Sequence, residues 1–343
     1  MTVKPSKNEK SLSPYGQWFQ EPSYGWCWTP YDISADWRPY SDGHWEYTDY
    51  GWSWVSNEMW GWAPYHYGRW FFDDSYGWVW VPGTQWAPAW VAWRYGDDYV
   101  GWAPLPPAAS WDASIGLTFA DASLIRPDEW CFVPRAHVLD VNLRLQVTVV
   151  ARNVTLFRRS RDATRFEVRS GRPANVGLDV AQVEGFIGRR VPRVKIVDMD
   201  RPARSGGQRA GNGTVGFFRP TVQPAPVEQA PPPAVADRRG AISGVELQRL
   251  RDQQQRKLES DLKAGQARLA RDQQNELRSR PAGPGADEIR KQHAAEQQAF
   301  EAHAVQQRQV LTQRMQKQIV NPGKVKNAGK SDGKDKGQDK RGK

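Results

Sequence analysis

The chain has 343 residues, a net charge of +10, eighteen tryptophans and two cysteines. That length can hold two or three domains, and two cysteines are too few for a fold that depends on several disulfides. No run of 18 apolar residues occurs, so the sequence predicts no membrane-spanning helix.

The first 13 residues are polar and lack the apolar stretch of a secretory signal peptide. We expect residues 1–13 to be disordered, with no cleavable leader in the sequence as it stands.

Residues 14–107 contain an aromatic repeat, and we call them the aromatic module. Gly-x-Trp, Tyr-Gly-Trp-x-Trp and Trp-x-Pro recur about every 25 residues, from Gly16, Gly43 and Gly68, with a degenerate fourth copy at residues 90–105. The two indoles of Trp-x-Trp project from one face of a strand, and the preceding Gly suits a tight turn, so each copy predicts a β-hairpin. The fold class is therefore mainly β, with the hairpins forming a small barrel or a curled sheet.

Aromatic residues must also supply the core of this module. Residues 14–104 contain 30 aromatic residues and seven Val, Ile, Leu or Met. Each buried aromatic side chain removes roughly 150–250 Å² from water, so a dozen would suffice for a module of this size. The paired indoles predict one buried aromatic layer, formed by Trp26, Trp28, Trp52, Trp54, Trp78 and Trp80.

The remaining aromatic residues are candidates for ligand binding. About 90 residues bury little more than about 60% of their surface, so some indoles must stay partly exposed. The Trp-x-Pro-Tyr loops lie where proline ends strand pairing, and they predict a row of binding residues for a polymer: Trp37, Tyr40, Trp62, Tyr65 and Trp86. Aromatic faces beside carboxylates suit a sugar, or a cation held over a ring. The alternative is that each loop packs onto the next hairpin.

The rest of the chain differs in composition. Residues 108–200 combine β-branched runs with a helical spacing at residues 179–187, which predicts a small α+β accessory domain. Residues 201–241 are rich in Pro, Gly and Arg, which predicts a disordered linker.

The C-terminal region favours helix. Residues 242–320 are rich in Gln, Arg, Glu and Ala, and a Pro/Gly break at residues 281–285 divides them into two helices. An imperfect heptad of leucines allows either a solvated helical arm or a coiled-coil hairpin that self-associates. Residues 321–343 are expected to form a disordered basic tail.

The charge distribution separates two surfaces. Residues 14–104 carry eleven Asp and Glu against three Arg, which argues against nucleic-acid binding by the aromatic module. The basic remainder is compatible with an anionic polymer or nucleic acid.

No catalytic constellation stands out. The five histidines lack metal-ligand spacing, the acidic residues cluster at turns, and no phosphate-binding loop is present. We therefore predict a protein that is not an enzyme and has no cofactor and no metal. Cys27 and Cys131 are interpreted as small buried residues, with one disulfide as the alternative.

Residues 15–18, 62–70 and 102–107 resemble a bacterial family of Trp/Tyr/Pro-rich exported proteins of unknown function. Some members of that family are joined to FecR-type envelope domains. The resemblance covers residues 14–200, and residues 244–320 more loosely. It implies a periplasmic, cell-envelope or secreted location, and it brings no activity and no catalytic residues.

These observations predict a non-enzymatic structural or interaction protein of the cell envelope, whose partner is a glycan or an envelope protein. One alternative is a module that binds peptidoglycan or exopolysaccharide. A second is binding of an anionic polymer or nucleic acid through the basic C-terminal half.

Overall fold

A computed structural model describes residues 12–203, 208–211, 213–223, 244–279, 286–317 and 319. The predictions for residues 1–11 and 321–343 lie outside this part of the chain. Leu12 was expected to be disordered, and that expectation is wrong. Its side chain is buried against the aromatic core.

The aromatic module forms four antiparallel β-hairpins, as the repeat predicts. Their strands are β1 (Gly16–Glu21), β2 (Gly25–Pro30), β3 (Gly43–Thr48), β4 (Gly51–Ser56), β5 (Tyr67–Asp73), β6 (Gly77–Trp86), β7 (Val91–Gly96) and β8 (Tyr99–Pro104). Gly25, Gly51 and Gly77 begin the second strand of the first three hairpins with φ of 76°, 79° and 72°. Glycine is required there because a Cβ disfavours positive φ.

Each hairpin places two tryptophans opposite each other. The pairs are Trp18 with Trp28, Trp45 with Trp54, Trp70 with Trp80, and Trp93 with Trp102. Facing aromatic side chains are favourable cross-strand neighbours. The repeat therefore specifies the register of each hairpin as well as its existence.

Nine further strands complete the sheets. They are β9 (Ser110–Asp112), β10 (Gly116–Thr118), β11 (Cys131–Pro134), β12 (Ser160–Asp162), β13 (Phe166–Arg169), β14 (Arg172–Asn175), β15 (Arg193–Asp198), β16 (Gln208–Gly211) and β17 (Thr214–Phe217). The strand orders are β1-β2-β6-β5, β11-β8-β7-β12, β13-β14-β4-β3-β15-β17-β16, and β10-β9. The four hairpins are thus divided among three sheets, and the first and third repeats share one.

Five of the six predicted core tryptophans are buried in one cluster: Trp28, Trp52, Trp54, Trp78 and Trp80. Trp26 is half-buried and lies outside that cluster. The reason is its neighbour across the hairpin. Trp26 faces Gln20, whereas the equivalent tryptophans face an aromatic residue, Tyr47 or Phe72.

Part of the predicted linker is a strand. β17 pairs in parallel with β15, and its Val215 and Phe217 side chains are buried. The prediction of disorder is therefore wrong for residues 208–211 and 214–217, and its residues 204–207, 212 and 224–241 lie outside the described part of the chain. A strand of four residues beside Gly and Pro is too short to show a period of alternating apolar residues, so the sequence could not reveal it. Its Val215 and Phe217 side chains are buried because they pack against the aromatic module.

Four helices are described: α1 (Asn153–Arg158), α2 (Val180–Ile187), α3 (Gly244–Ser279) and α4 (Ala286–Gln316). The Asp179 side chain caps the N-terminus of α2, and Gly188 ends it with φ of 68°. Helix is also found at residues 153–158, within one of the β-branched runs of the accessory domain.

Helices α3 and α4 form the predicted helical arm, and this arm lies against the β-sheet body. Leu258 and Leu262 of α3 cluster with Ala35 of the aromatic module. Leu269 and Phe300 cluster with Val149 and Ala151. The leucine stripe that suggested a coiled coil is thus used within the chain.

Arginine side chains hold the arm at both ends, and the one at the end of α4 is buried. Near the end of α4, Arg314 donates to the carbonyl oxygens of Tyr76 (2.5 Å) and Pro30 (2.7 Å) and to Thr29 Oγ1 (2.9 Å). Burial lowers the pKa of its guanidinium to about 10. At the other end, Arg152 lies 3.3 Å from Glu276 of α3 and 3.8 Å from the buried Glu296 of α4.

We expect Trp54→Ala to lower the free energy of unfolding by about 3–5 kcal/mol, because it leaves a cavity in the aromatic core. Trp26→Ala is the matched control, and its cost should be clearly smaller because its indole is half-buried. Urea unfolding followed by circular dichroism measures both. Equal losses for the two variants would contradict the assignment of the core.

Replacing Arg314 tests how the arm is held. Arg314→Met should cost about 2 kcal/mol or more, because it leaves buried acceptors without their donor. It should also expose the end of α4 to protease. Arg308 is also on α4, and Arg308→Met removes its exposed ion pair with Glu259 of α3, so its effect should be below about 1 kcal/mol. If both variants resist protease and urea equally, Arg314 does not hold the arm.

Candidate functional site

The predicted row of binding residues is mostly enclosed. Tyr40 and Tyr65 have no exposed surface, and Trp62 and Trp86 are 5% and 6% exposed. Such side chains cannot act as stacking platforms unless the loops rearrange. Trp37 is the exception, because it is half-buried.

Three contacts account for this burial. The Tyr40 hydroxyl donates to the carbonyl oxygen of Tyr65 (2.8 Å), so consecutive Trp-x-Pro-Tyr loops are tied together. Trp62 packs on Phe218 and Trp86 on Phe217, at ring-centroid distances of 5.1 and 6.0 Å. The segment interpreted as a linker therefore packs on two of the five predicted residues.

Trp37 is held by a carboxyl group that the sequence did not single out. Its Nε1 donates to Glu58 (2.8 Å), and the Tyr65 hydroxyl also donates to Glu58. Burial is the main cause that raises the pKa of Glu58 to about 8. Glu58 stands between Asn57 and Met59 in the sequence and looks like a surface residue there, so no signal would have found it.

Trp37 forms part of a cleft between the aromatic module and the helical arm, which we call the arm cleft. Its volume is about 280 Å³. On one side lie residues 32–35, Trp37, Phe72 and Trp78, and on the other lie apolar residues of α3 and α4, including Leu258 and Val310. The wall of the module is thus aromatic, and the wall of the arm is aliphatic.

The side of the arm also contributes three carboxamide side chains to the cleft: Gln253, Gln254 and Gln307. None of them has a hydrogen-bond partner among the residues that the structure describes. Their donors and acceptors are available to a bound molecule.

The charged groups of the arm cleft balance. Asp32 and Asp261 line it together with Lys257 and Arg314. Asp261 accepts from Lys257 Nζ (2.5 Å) and from the backbone N–H of Ala35 (3.3 Å). Two carboxylates and two cations leave no net charge.

A second cleft, of about 610 Å³, is lined by four arginines, among them Arg169 and Arg190. Carboxylates accompany them: Glu167 lies 2.9 Å from Arg169, and Glu184 lies 4.0 Å from Arg190. This pairing reduces the positive field that a polyanion would require.

Other chemical groups are structural. Cys27 and Cys131 are both buried and unpaired, so the alternative of a disulfide is wrong. Cys27 packs with Phe19 and Val79 in a small separate cluster. Within the described residues, no group of three His, Cys, Asp or Glu is placed to hold a metal ion, and no helix is long and apolar enough to cross a membrane.

Residues 9–109 match a protein family described as a family of unknown function (DUF6600). The match covers the aromatic module and therefore the aromatic wall of the arm cleft. No curated protein and no solved structure matches the chain.

The raised pKa of Glu58 predicts a pH dependence. The folded state keeps its proton up to pH of about 8, whereas an unfolded Glu loses it near about 4.3. The unfolded state therefore binds fewer protons over this interval, and the free energy of unfolding should fall as pH rises from about 4.3 to 8. Glu58→Gln should abolish the decline between pH 7 and 8.

Urea unfolding at pH 6.5, 7, 7.5 and 8 measures this effect. Glu129→Gln is the matched control, because burial raises the pKa of Glu129 to about 7 and its contribution ends at lower pH. His66 contributes below this range, since burial lowers its pKa to about 4. A decline above pH 7 that persists in Glu58→Gln would show that Glu58 is ionised in the folded protein.

Proposed function

We propose that this chain is a non-enzymatic interaction protein of the cell envelope that holds its partner in the arm cleft. One observation carries the proposal. Partly exposed aromatic side chains line the same cleft as three carboxamides that have no hydrogen-bond partner in the described structure. Concave sites with apolar walls and a few convergent polar groups are typical of ligand binding.

The chemistry of the cleft supports binding rather than catalysis. Carboxamides exchange hydrogen bonds and do not ionise, so Gln253, Gln254 and Gln307 cannot transfer protons. The charged groups are already engaged, as the contacts of Asp261 and Arg314 show. These groups are arranged to recognise a molecule and leave it unchanged.

The cleft is also preformed. Arg314 holds α4 to the strands that carry the aromatic wall, and Arg152 holds the other end of the arm. Because both walls are fixed before a partner arrives, binding does not have to order them, and less free energy is lost on association.

The envelope location rests on the resemblance to Trp/Tyr/Pro-rich exported proteins, some of them joined to FecR-type domains. Peptidoglycan, exopolysaccharide and envelope proteins are the partners available in that compartment.

Filling the cleft tests this proposal. The purified full chain should sediment with insoluble bacterial envelope fragments that contain peptidoglycan and its attached proteins. Gln254→Trp places an indole in the cleft and should reduce the sedimented fraction at least about tenfold, the equivalent of about 1.4 kcal/mol.

Gln255→Trp is the matched control. Gln255 is the next residue of α3 and is exposed outside the cleft, so this variant should sediment as the parent does. Circular dichroism and urea unfolding verify that both variants are folded. Equal sedimentation of the parent and Gln254→Trp would show that the partner does not bind in the arm cleft.

A further inference from the structure

We infer that the arm cleft recognises a neutral sugar unit of a glycan chain. This inference rests on the proposed function and names the ligand class of the same site. Three properties of the cleft support it: an aromatic wall, free carboxamides and the absence of net charge.

The aromatic wall suits the apolar face of a pyranose ring. Trp37 and Phe72 are half-buried and present ring surface to the cleft, while the edge of Trp78 packs against Phe72 at a centroid distance of 5.6 Å. The C–H groups of one sugar face can cover such surface and remove it from water. The aromatic ring surface that remains accessible therefore favours a ligand that has an apolar face.

The carboxamides suit the hydroxyl edge of the same ring. Each offers a carbonyl acceptor and an NH₂ donor, and Gln253, Gln254 and Gln307 approach the cleft from two different helices. A sugar hydroxyl is also both donor and acceptor, so it can satisfy these groups in pairs. A purely apolar ligand would make no hydrogen bond with Gln254 and Gln307, which are half-buried, or with Gln253, which is exposed.

The charge balance excludes ligands that depend on a strong field. Asp32, Asp261, Lys257 and Arg314 sum to zero, and Arg314 is held by three acceptors of the protein. A phosphate-bearing polymer would have no unpaired cation to bind. A neutral polyhydroxylated ligand needs none.

The volume suits one short segment of such a chain. About 280 Å³ is slightly below the range of about 300–1,000 Å³ that is usual for small-molecule pockets. A single unit, or the end of a chain, matches this volume better than a long stretch of polymer.

Glu58 acts here as a positioning residue. It accepts from Trp37 Nε1 (2.8 Å) and so fixes the orientation of the indole, while Trp60 and Trp70 pack on Trp37 at centroid distances of 6.0 Å. The indole surface turned toward the cleft is therefore preoriented.

The test is titration of the full chain with the tetramer of N-acetylglucosamine, followed by tryptophan fluorescence and calorimetry. The tetramer of glucose is the second neutral probe, and polyphosphate is the anionic probe. Saturable binding of at least one neutral tetramer, without binding of polyphosphate, is expected.

Gln254→Met and Gln307→Met keep the size of the side chain and remove the carboxamide. Each should weaken binding about threefold to tenfold, the equivalent of one hydrogen bond. Gln255→Met, outside the cleft, should leave affinity unchanged. Trp37→Phe should reduce both affinity and the fluorescence change.

The remaining outcomes overturn the inference in distinguishable ways. If neither tetramer binds while Gln254→Trp still abolishes sedimentation with envelope fragments, the ligand class is wrong and the proposed function stands. If a tetramer binds equally to the parent and the Met variants, the sugar site lies elsewhere. If polyphosphate binds more tightly than either neutral tetramer, the ligand class is anionic and the inference of a neutral sugar is wrong.

Discussion

The arrangement of the hairpins depends on hydrogen bonds from part of the tryptophan core, because some buried indole N–H groups find acceptors in other segments of the chain, while those of Trp28, Trp45 and Trp54 have no partner among the described residues. Here several of those acceptors are backbone carbonyls of other repeats or of the accessory segment. Trp102 donates to Tyr40 (2.9 Å), Trp90 to His66 (3.1 Å) and Trp52 to Leu178 (2.9 Å). Because these hydrogen bonds are directional, they fix how the hairpins lie relative to one another. Packing between aliphatic side chains is not directional and would restrict that arrangement less.

Tyr40 shows the consequence at one residue. It adopts φ of 64°, a conformation that is costly for a residue with a Cβ. Its hydroxyl bonds to Tyr65 and Trp90, and its carbonyl accepts from Trp102. These buried contacts sustain the strained backbone, so Tyr40 connects the repeats structurally, although the sequence had suggested it as a ligand-binding residue.

The hairpins could be predicted from sequence because each is a local structure. Trp-x-Trp, the turn glycine and the break at Trp-x-Pro lie within one repeat and define two strands. Pairing between repeats could not be predicted, because every copy carries the same pattern. Nothing in Trp28 or Trp80 indicates that the first and third repeats share a ladder, where these two residues are register partners.

The arm illustrates a different limit. Its helices and their break follow from composition, and the buried leucines follow from their spacing. Where that leucine face packs depends on Arg314 and Arg152, which find partners in segments far away in the chain. An arginine on a polar helix gives no sign that it is buried, so sequence could not distinguish a docked arm from a free one.

The candidate site could be predicted only in part, because it lies where the aromatic module and the docked arm come together. The excess of aromatic residues implied that some aromatic surface must remain accessible, and Trp37 was one of the residues proposed for it. Its location could not be predicted, because the opposite wall comes from residues 250–314, more than two hundred positions later. The family match at residues 9–109 includes the aromatic wall and none of the carboxamides. In the proposed site, the aromatic module supplies the surface against which a ligand would pack, and the carboxamides that would recognise its polar groups belong to the helical arm.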